Sequence, residues 1–280
     1  GYRVIPRSFG YYTIDDNVIS TADIEEVVIA TDTLSFDDYI DCREMALMVF
    51  IFHNGGLFCP VKNLVDALQL SSYDWILSLL NQKNVNPQFH ELLSDFTSET
   101  KNETWENKDE LLAFVSDMAN VDKFLSGELG SNLLYKYLAR GITDKPDALC
   151  SAVREGTKSF LADNISLQGT EETDCLNEVV DQMIKHCLLR MDKIFEPTNN
   201  DFSVKYSFDI TPWLEPNKPP VYFDNPREVI AYLQGMSELV YTYSSEQIDS
   251  ITFYKNVFGE GEQARARILT RSHIKNSFRN

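Results

Sequence analysis

The stretch Leu176-Asn-Glu-Val-Val-Asp-Gln-Met-Ile-Lys-His-Cys-Leu-Leu-Arg-Met191 decides the fold class. Leu176, Val179, Val180, Met183, Ile184, Cys187, Leu188 and Met191 recur at three- and four-residue steps, so they form one face of a helix more than four turns long. A stripe this regular faces a core. Cys187 lies on it and reads as a structural thiol. His186 lies beside it and reads as solvated or hydrogen-bonded, because no second ligand stands at a metal-binding spacing.

The helical pattern extends upstream as far as Pro60. Pro60 suits a first helical position, and Val61, Leu64, Val65 and Leu68 keep the spacing. Ser71 or Ser72 opens another helix with Trp75, Ile76, Leu79 and Leu80 on one face. Further helices are predicted from Gln88 to Phe96, through Leu111–Ala119, through Leu133–Leu138, and after Lys145-Pro146. The polar stretch 97–104 reads as a connection.

Downstream, the pattern changes at Pro197-Thr-Asn-Asn200. Phe202, Val204, Tyr206 and Phe208 alternate with polar residues, as in a half-exposed strand. Pro212, Pro216, Pro219 and Pro220 then predict an extended connector. Val221-Tyr-Phe223 reads as a short strand. Two terminal helices follow, one from Asn225/Pro226 to about Tyr243 and one from Ser245 towards the end.

The first 35 residues read as β structure. Tyr11, Tyr12 and Ile14 face Val18 and Ile19 across Asp15-Asp-Asn17, a turn signal. Glu25-Glu-Val-Val-Ile-Ala-Thr31 is a continuous β-branched run, as in a strand covered on both faces. Ser35 is a good N-cap, with Asp37 and Asp38 in the first turn of the next helix. That helix becomes apolar on every side at Ala46–Phe52, which predicts a central, surrounded element, and it stops at Asn54-Gly-Gly56. The whole is a mainly α chain with a small β portion, an α+β fold, divided at 1–56, 57–196 and 197–280.

The chain has 280 residues and a net charge of −18. A field of that sign repels phosphate backbones and anionic membranes, so nucleic-acid and membrane partners are not expected. A cytoplasmic location is expected, since Tyr2–Gly10 has no apolar core of a signal peptide. The five cysteines, Cys42, Cys59, Cys150, Cys175 and Cys187, show no CxxC or CxxxC pair, so reduced thiols are expected and no metal site. No GxSxG, P-loop, GxGxxG or HExxH is present. Arg43 stands three residues before the apolar run and needs an anionic or carbonyl partner, for which an acid near Asp38 or Asp41 is the simplest choice. Arg267, Arg271, Lys275 and Arg279 recur every four residues, a basic helical stripe suited to its own helix C-terminus and this chain's acidic surface, or else to an acidic partner domain or a phosphate-bearing ligand.

The run Glu25-Glu-Val-Val-Ile-Ala-Thr-Asp-Thr-Leu-Ser-Phe-Asp-Asp-Tyr-Ile-Asp-Cys-Arg43 resembles the segment that follows the catalytic barrel in cobalamin-binding radical SAM proteins. Those proteins often carry a T-N-T-M-S-F-E-D-W/Y phrase and then a helix with an early arginine. Asp32 stands here where the family often has Asn. Tyr2–Gly10 and Arg267–Arg271 are similar to the same region of that family. The resemblance implies an enzyme that uses S-adenosylmethionine, a [4Fe–4S] cluster on CxxxCxxC, and often cobalamin. Those determinants are expected upstream, in cis, and not in this chain. It also marks Asp32, Thr33, Arg43, Arg267 and Arg271 as contacts to substrate or to a neighbouring domain. Two readings follow: an accessory or substrate-recognition region that is not catalytic alone, or an independent helical binding or scaffold domain.

Overall fold

Asp15 and Asp16 are the whole loop between the first two strands, and both have positive φ, 46° and 66°. That is the backbone of a type I′ turn, whose twist matches paired strands. The structure, a computed structural model, describes residues 1–126, 129–130, 132–166, 169–193, 201–215, 221–242 and 245–258. In chain order the elements are β1 (Tyr2–Ile14), β2 (Asn17–Val28), α1 (Phe36–Met48), a π-helical segment (Val49–Asn54), α2 (Cys59–Ala67), α3 (Ser72–Asn81) and α4 (Pro87–Asn102). Then come α5 (Lys108–Val115), α6 (Met118–Ser126), α7 (Leu133–Thr143), α8 (Pro146–Asn164) and α9 (Thr170–Lys193). The chain continues with β3 (Phe202–Tyr206), α10 (Pro226–Tyr232), β4 (Ser237–Tyr241) and α11 (Ser245–Phe258). The class is α+β, mainly helical, with two two-stranded antiparallel sheets among the described residues, β1–β2 and β3–β4.

The chain folds as two compact units. The first comprises Gly1–Ala46 and Leu93–Lys136. Its β1–β2 ladder runs from Tyr2 opposite Val28 to Ile14 opposite Asn17, with one irregularity between Pro6 and Ser8. One face packs on α5 and α6. Val4, Leu111, Val115 and Phe124 form the core there, with Ala22, Ile24, Trp105 and Phe114 packed against it. The Glu25–Thr31 run is not covered on both faces as its composition predicts. The strand ends at Val28, which is half exposed, and Glu25 and Glu26 are exposed. Among the described residues this sheet has only two strands, so β2 has β1 on one side and nothing on the other.

Replacing Asp15 by Asn and Asp16 by Gly is expected to stabilise the hairpin by about 0.5–1 kcal/mol, because both residues accept positive φ at lower cost. A chemical unfolding midpoint that stays put or falls would contradict the turn assignment.

The second unit comprises Leu47–Leu92 and Tyr137–Asn280. Its centre is α8, packed on α3 and on α9. The stripe on α9 is buried at Leu176, Val179, Val180, Met183, Ile184, Cys187 and Met191, while Leu188 is half-buried. The Ala46–Phe52 run is less enclosed than expected. Leu47, Met48, Ile51 and Phe52 are buried, but Val49 and Phe50 are only half-buried. The backbone widens into the π-helical segment and ends where Gly56, at φ 68°, turns it out of the helix.

Several boundaries differ from the sequence reading. Helix α4 continues through the polar stretch to Asn102, because Thr100 is fully buried on one side of it and Glu99 is held by Lys136 at 2.7 Å. The Leu111–Ala119 stripe is two helices that meet at Ser116-Asp117, with Leu112 and Met118 exposed. Val221-Tyr-Phe223 is not a strand; its Phe223 amide donates to the Ala67 carbonyl at 2.8 Å. The helix begun at Pro226 stops at Tyr232, and Ser237–Tyr241 becomes β4, burying Leu239 and Tyr241 on alternate positions. Gly235, at φ 115°, makes that reversal possible. Residues 259–280 lie outside the described residues, and so do Arg267 and Arg271.

Candidate functional site

Helix α1 begins with a reciprocal capping box. The Asp38 amide donates to Ser35 Oγ at 3.1 Å, and the Ser35 amide and hydroxyl donate to the Asp38 carboxylate at 2.8 and 2.7 Å. These bonds hold the Asp38 carboxyl below its ordinary range. Asp38 is thereby engaged at the cap, and Arg43 is not paired with it. One turn further on, Arg43 Nη2 instead lies 3.9 Å from Glu103 Oε1, on the C-terminal side of α4. Its guanidinium also lies 6.0 Å from the centre of the Phe96 ring.

Arg43 lines a cavity of about 360 Å³ that lies entirely within the first unit. Ile5 and Val27 from the hairpin close one part of the wall, and Tyr39 stands one turn before Arg43. Trp105, Phe114 and Phe124 supply the aromatic part. Trp105 is fixed by its own backbone: Val4 and Trp105 exchange both amide-to-carbonyl hydrogen bonds at 2.8 Å. Its ring packs on Phe114 at 5.0 Å, and Phe114 meets Phe124 edge-on at 6.3 Å. Arg3 ties the same corner, donating to Thr104 Oγ1 at 3.0 Å and to Glu106 at 2.8 Å, with its guanidinium 4.4 Å over the Phe36 ring.

The charges in this cavity are unevenly engaged. Glu99 accepts from Lys136 at 2.7 Å. The Arg43–Glu103 distance of 3.9 Å is too long for a hydrogen bond. Arg43 Nε is buried with no acceptor. A buried donor left without a partner costs about 1–3 kcal/mol, so Arg43 is held at some cost to stability.

Of the three described residues marked by the resemblance, Asp32, Thr33 and Arg43, Arg43 alone lines this cavity. Asp32 and Thr33 sit on the exposed turn between β2 and α1, where the Thr33 and Leu34 amides donate to Thr31 Oγ1 at 3.3 and 3.1 Å. Trp105 and Glu103 were missed by sequence reasoning because they fall in or beside a stretch read as a polar connection. The available signal was an isolated tryptophan beside Thr104, since so large a side chain seldom stands in a bare linker.

A second polar cluster lies in the second unit. His186 Nδ1 is 2.7 Å from the Tyr241 hydroxyl, which is 2.7 Å from the Tyr206 hydroxyl. Arg190 is buried nearby and donates to the Gly56 carbonyl at 3.3 Å. Cys59 and Cys187 are buried beside it, and burial pushes both thiols up, so they stay protonated. Cys150 is pushed up to about 12 by burial. Among the described residues no three His, Cys, Asp or Glu side chains are grouped to hold a metal ion. Among the same residues no single helix is long and apolar enough to cross a membrane. Comparisons with known protein families, with curated proteins and with solved structures return no match to this chain.

Proposed function

We propose that this chain is the C-terminal accessory or substrate-recognition region of a cobalamin-dependent radical SAM enzyme, joined in cis to the domains that bind the cluster and the corrinoid, and not catalytic alone. One structural observation supports this above others. The β1–β2 ladder pairs outside itself at a single position among the described residues, Val4 with Trp105. At its turn end Tyr12, Ile14, Val18 and Ile19 are between 49% and 63% exposed. A long ladder with free edges and an apolar end is a surface that proteins cover. Asp23, Glu25 and Glu26 charge the second half of β2, and Tyr2 and Val28 are exposed at the open end, so apolar contacts fall at the two ends of the ladder. The phrase that carries the family resemblance follows this hairpin directly. In this reading the cluster and S-adenosylmethionine supply the radical chemistry from upstream, and this chain supplies binding and orientation.

The independent-scaffold reading draws on the second unit, where Trp75, Trp213, Phe52 and Phe58 are fully buried in a closed core. The coding sequence upstream of Gly1 separates the two. An in-frame CxxxCxxC is expected, and the whole polypeptide, purified without oxygen, should carry on the order of four iron atoms and a corrinoid. A native start adjoining Gly1 with no such motif would sink the radical SAM reading and leave the scaffold.

A further inference from the structure

We infer that the cavity of the first unit is a binding site for a small organic carboxylate with an aromatic or apolar body, the carboxylate on Arg43 and the body against Trp105, Phe114 and Phe124. The cavity volume of about 360 Å³ lies at the lower end of the range for small-molecule sites, which points to a compact ligand and not to a peptide or a nucleotide. Its wall joins an apolar and aromatic part to a polar part of similar extent, in which Arg43 is the cation.

Arg43 is the orienting group. Its side chain is 28% exposed, and its Nη2 is held only loosely by Glu103 at 3.9 Å. A carboxylate in the cavity meets the guanidinium end-on, through its two terminal nitrogens, a planar two-bond arrangement that lysine cannot copy. Glu103 keeps Arg43 in place without saturating it. Glu99 is already engaged by Lys136, so the second acid of the wall is not the group a cationic ligand would find first. Trp105 is immobilised through its backbone bonds to Val4 and through Phe114, so an aromatic body meets a surface already in position.

The inference goes beyond the accessory-region reading and stands on this cavity alone. A missing cluster motif upstream would end that reading and leave the binding untouched, and failed binding would leave the upstream test untouched.

The test titrates the full chain with phenylacetate, phenylacetamide and benzylamine, which share a benzyl body and differ in the charge of the head group. Heat of binding is the first readout. Indole emission is the second, and it reports on Trp105 because Trp75 and Trp213 are fully buried in the other unit. Phenylacetate should bind at least about tenfold more tightly than the amide, and benzylamine should bind more weakly still. Arg43→Gln should weaken phenylacetate by about tenfold or more, with Arg43→Lys restoring only part of it. Equal binding of acid and amide, stronger binding of the amine, an unaffected Arg43→Gln variant, or no binding of any of the three at millimolar concentration would each overturn the proposal. If Arg43→Gln fails to fold, the comparison of the three ligands on the unaltered chain still decides.

Discussion

Truncating Trp75 to alanine is expected to destabilise the protein by about 3–5 kcal/mol, among the largest effects of any single substitution here. Trp75 is fully buried on α3, and its indole donates to Thr157 Oγ1 on α8 at 2.9 Å. The two helices cross in backbone contact beside it. A Cβ on Gly156 would lie 2.7 Å from Leu79 Cδ2 and 3.1 Å from Leu79 Cα, so only glycine lets them approach this closely. Ser78 Oγ donates to the Gly156 carbonyl at 3.0 Å across the same contact. With the backbones already touching, α3 and α8 cannot close further to fill the void left by the indole, and such a cavity costs most where collapse is blocked. At about 2–4 °C per kcal/mol for a chain of this size class, the melting temperature should fall by roughly 6 °C or more. Trp75→Phe should lose less, because it keeps an aromatic ring in the site. A Trp75→Ala melting curve within 2–3 °C of the parent, on the order of 1 kcal/mol, would mean that the crossing is not rigid.

Much of this architecture was legible because it depends on local chemistry. The Asp-Asp turn, the Ser35 cap, Pro60 near the start of α2, the Ser71 cap and the α9 stripe all act within a few residues, and each lies where the sequence predicts. The errors fall where a distant partner decides. Residues 97–102 are polar enough for a loop, yet Lys136 holds Glu99 and keeps the helix going. Ser237–Tyr241 has no strong strand signal until β3 is there to pair with it, and it reads as the tail of a helix until then. The β-branched run before α1 has the composition of a buried strand, but burial depends on how many neighbours a sheet has, which composition does not encode.

The candidate site was half legible for the same reason. Arg43 stood out because a charge next to an apolar run needs a partner. Its partner, Glu103, is sixty residues further along, and nothing at Glu103 marks it. Asp38, the nearer choice, was already committed to Ser35, and the Ser35-x-x-Asp38 spacing could have shown that. Of the two expectations for His186, solvated or hydrogen-bonded, only the second holds: it is buried and bonded to Tyr241, because Tyr206 and Tyr241 reach it from β3 and β4.

His186 is expected to make the protein acid-labile. Burial, and then the charge of Arg190, push its imidazole down from an ordinary 6.5 to about 3. The folded state therefore keeps His186 neutral at pH values where the unfolded chain takes up a proton. Below about pH 6.5 the unfolded state binds more protons, so stability must fall as pH falls. The contribution is complete above pH 6.5 and is lost towards pH 3, at a limiting slope of about 1.4 kcal/mol per pH unit. The cysteines and tyrosines around it are shifted upwards by burial and stay protonated through this window, so they add no slope of their own. Carboxylates elsewhere in this acidic chain do titrate there, which is why the comparison needs a variant and not a single curve. His186→Gln keeps a polar side chain near the Tyr241 hydroxyl and removes the proton uptake. At pH 8 it should cost about 1–3 kcal/mol, through imperfect replacement of a buried hydrogen bond. Between pH 6.5 and pH 5 the parent should lose up to about 2 kcal/mol more than the variant, so the gap between their urea midpoints narrows or reverses. Parallel stability curves across that range would show that His186 takes up its proton as readily folded as unfolded, and that the Tyr206–Tyr241–His186 cluster is open to water.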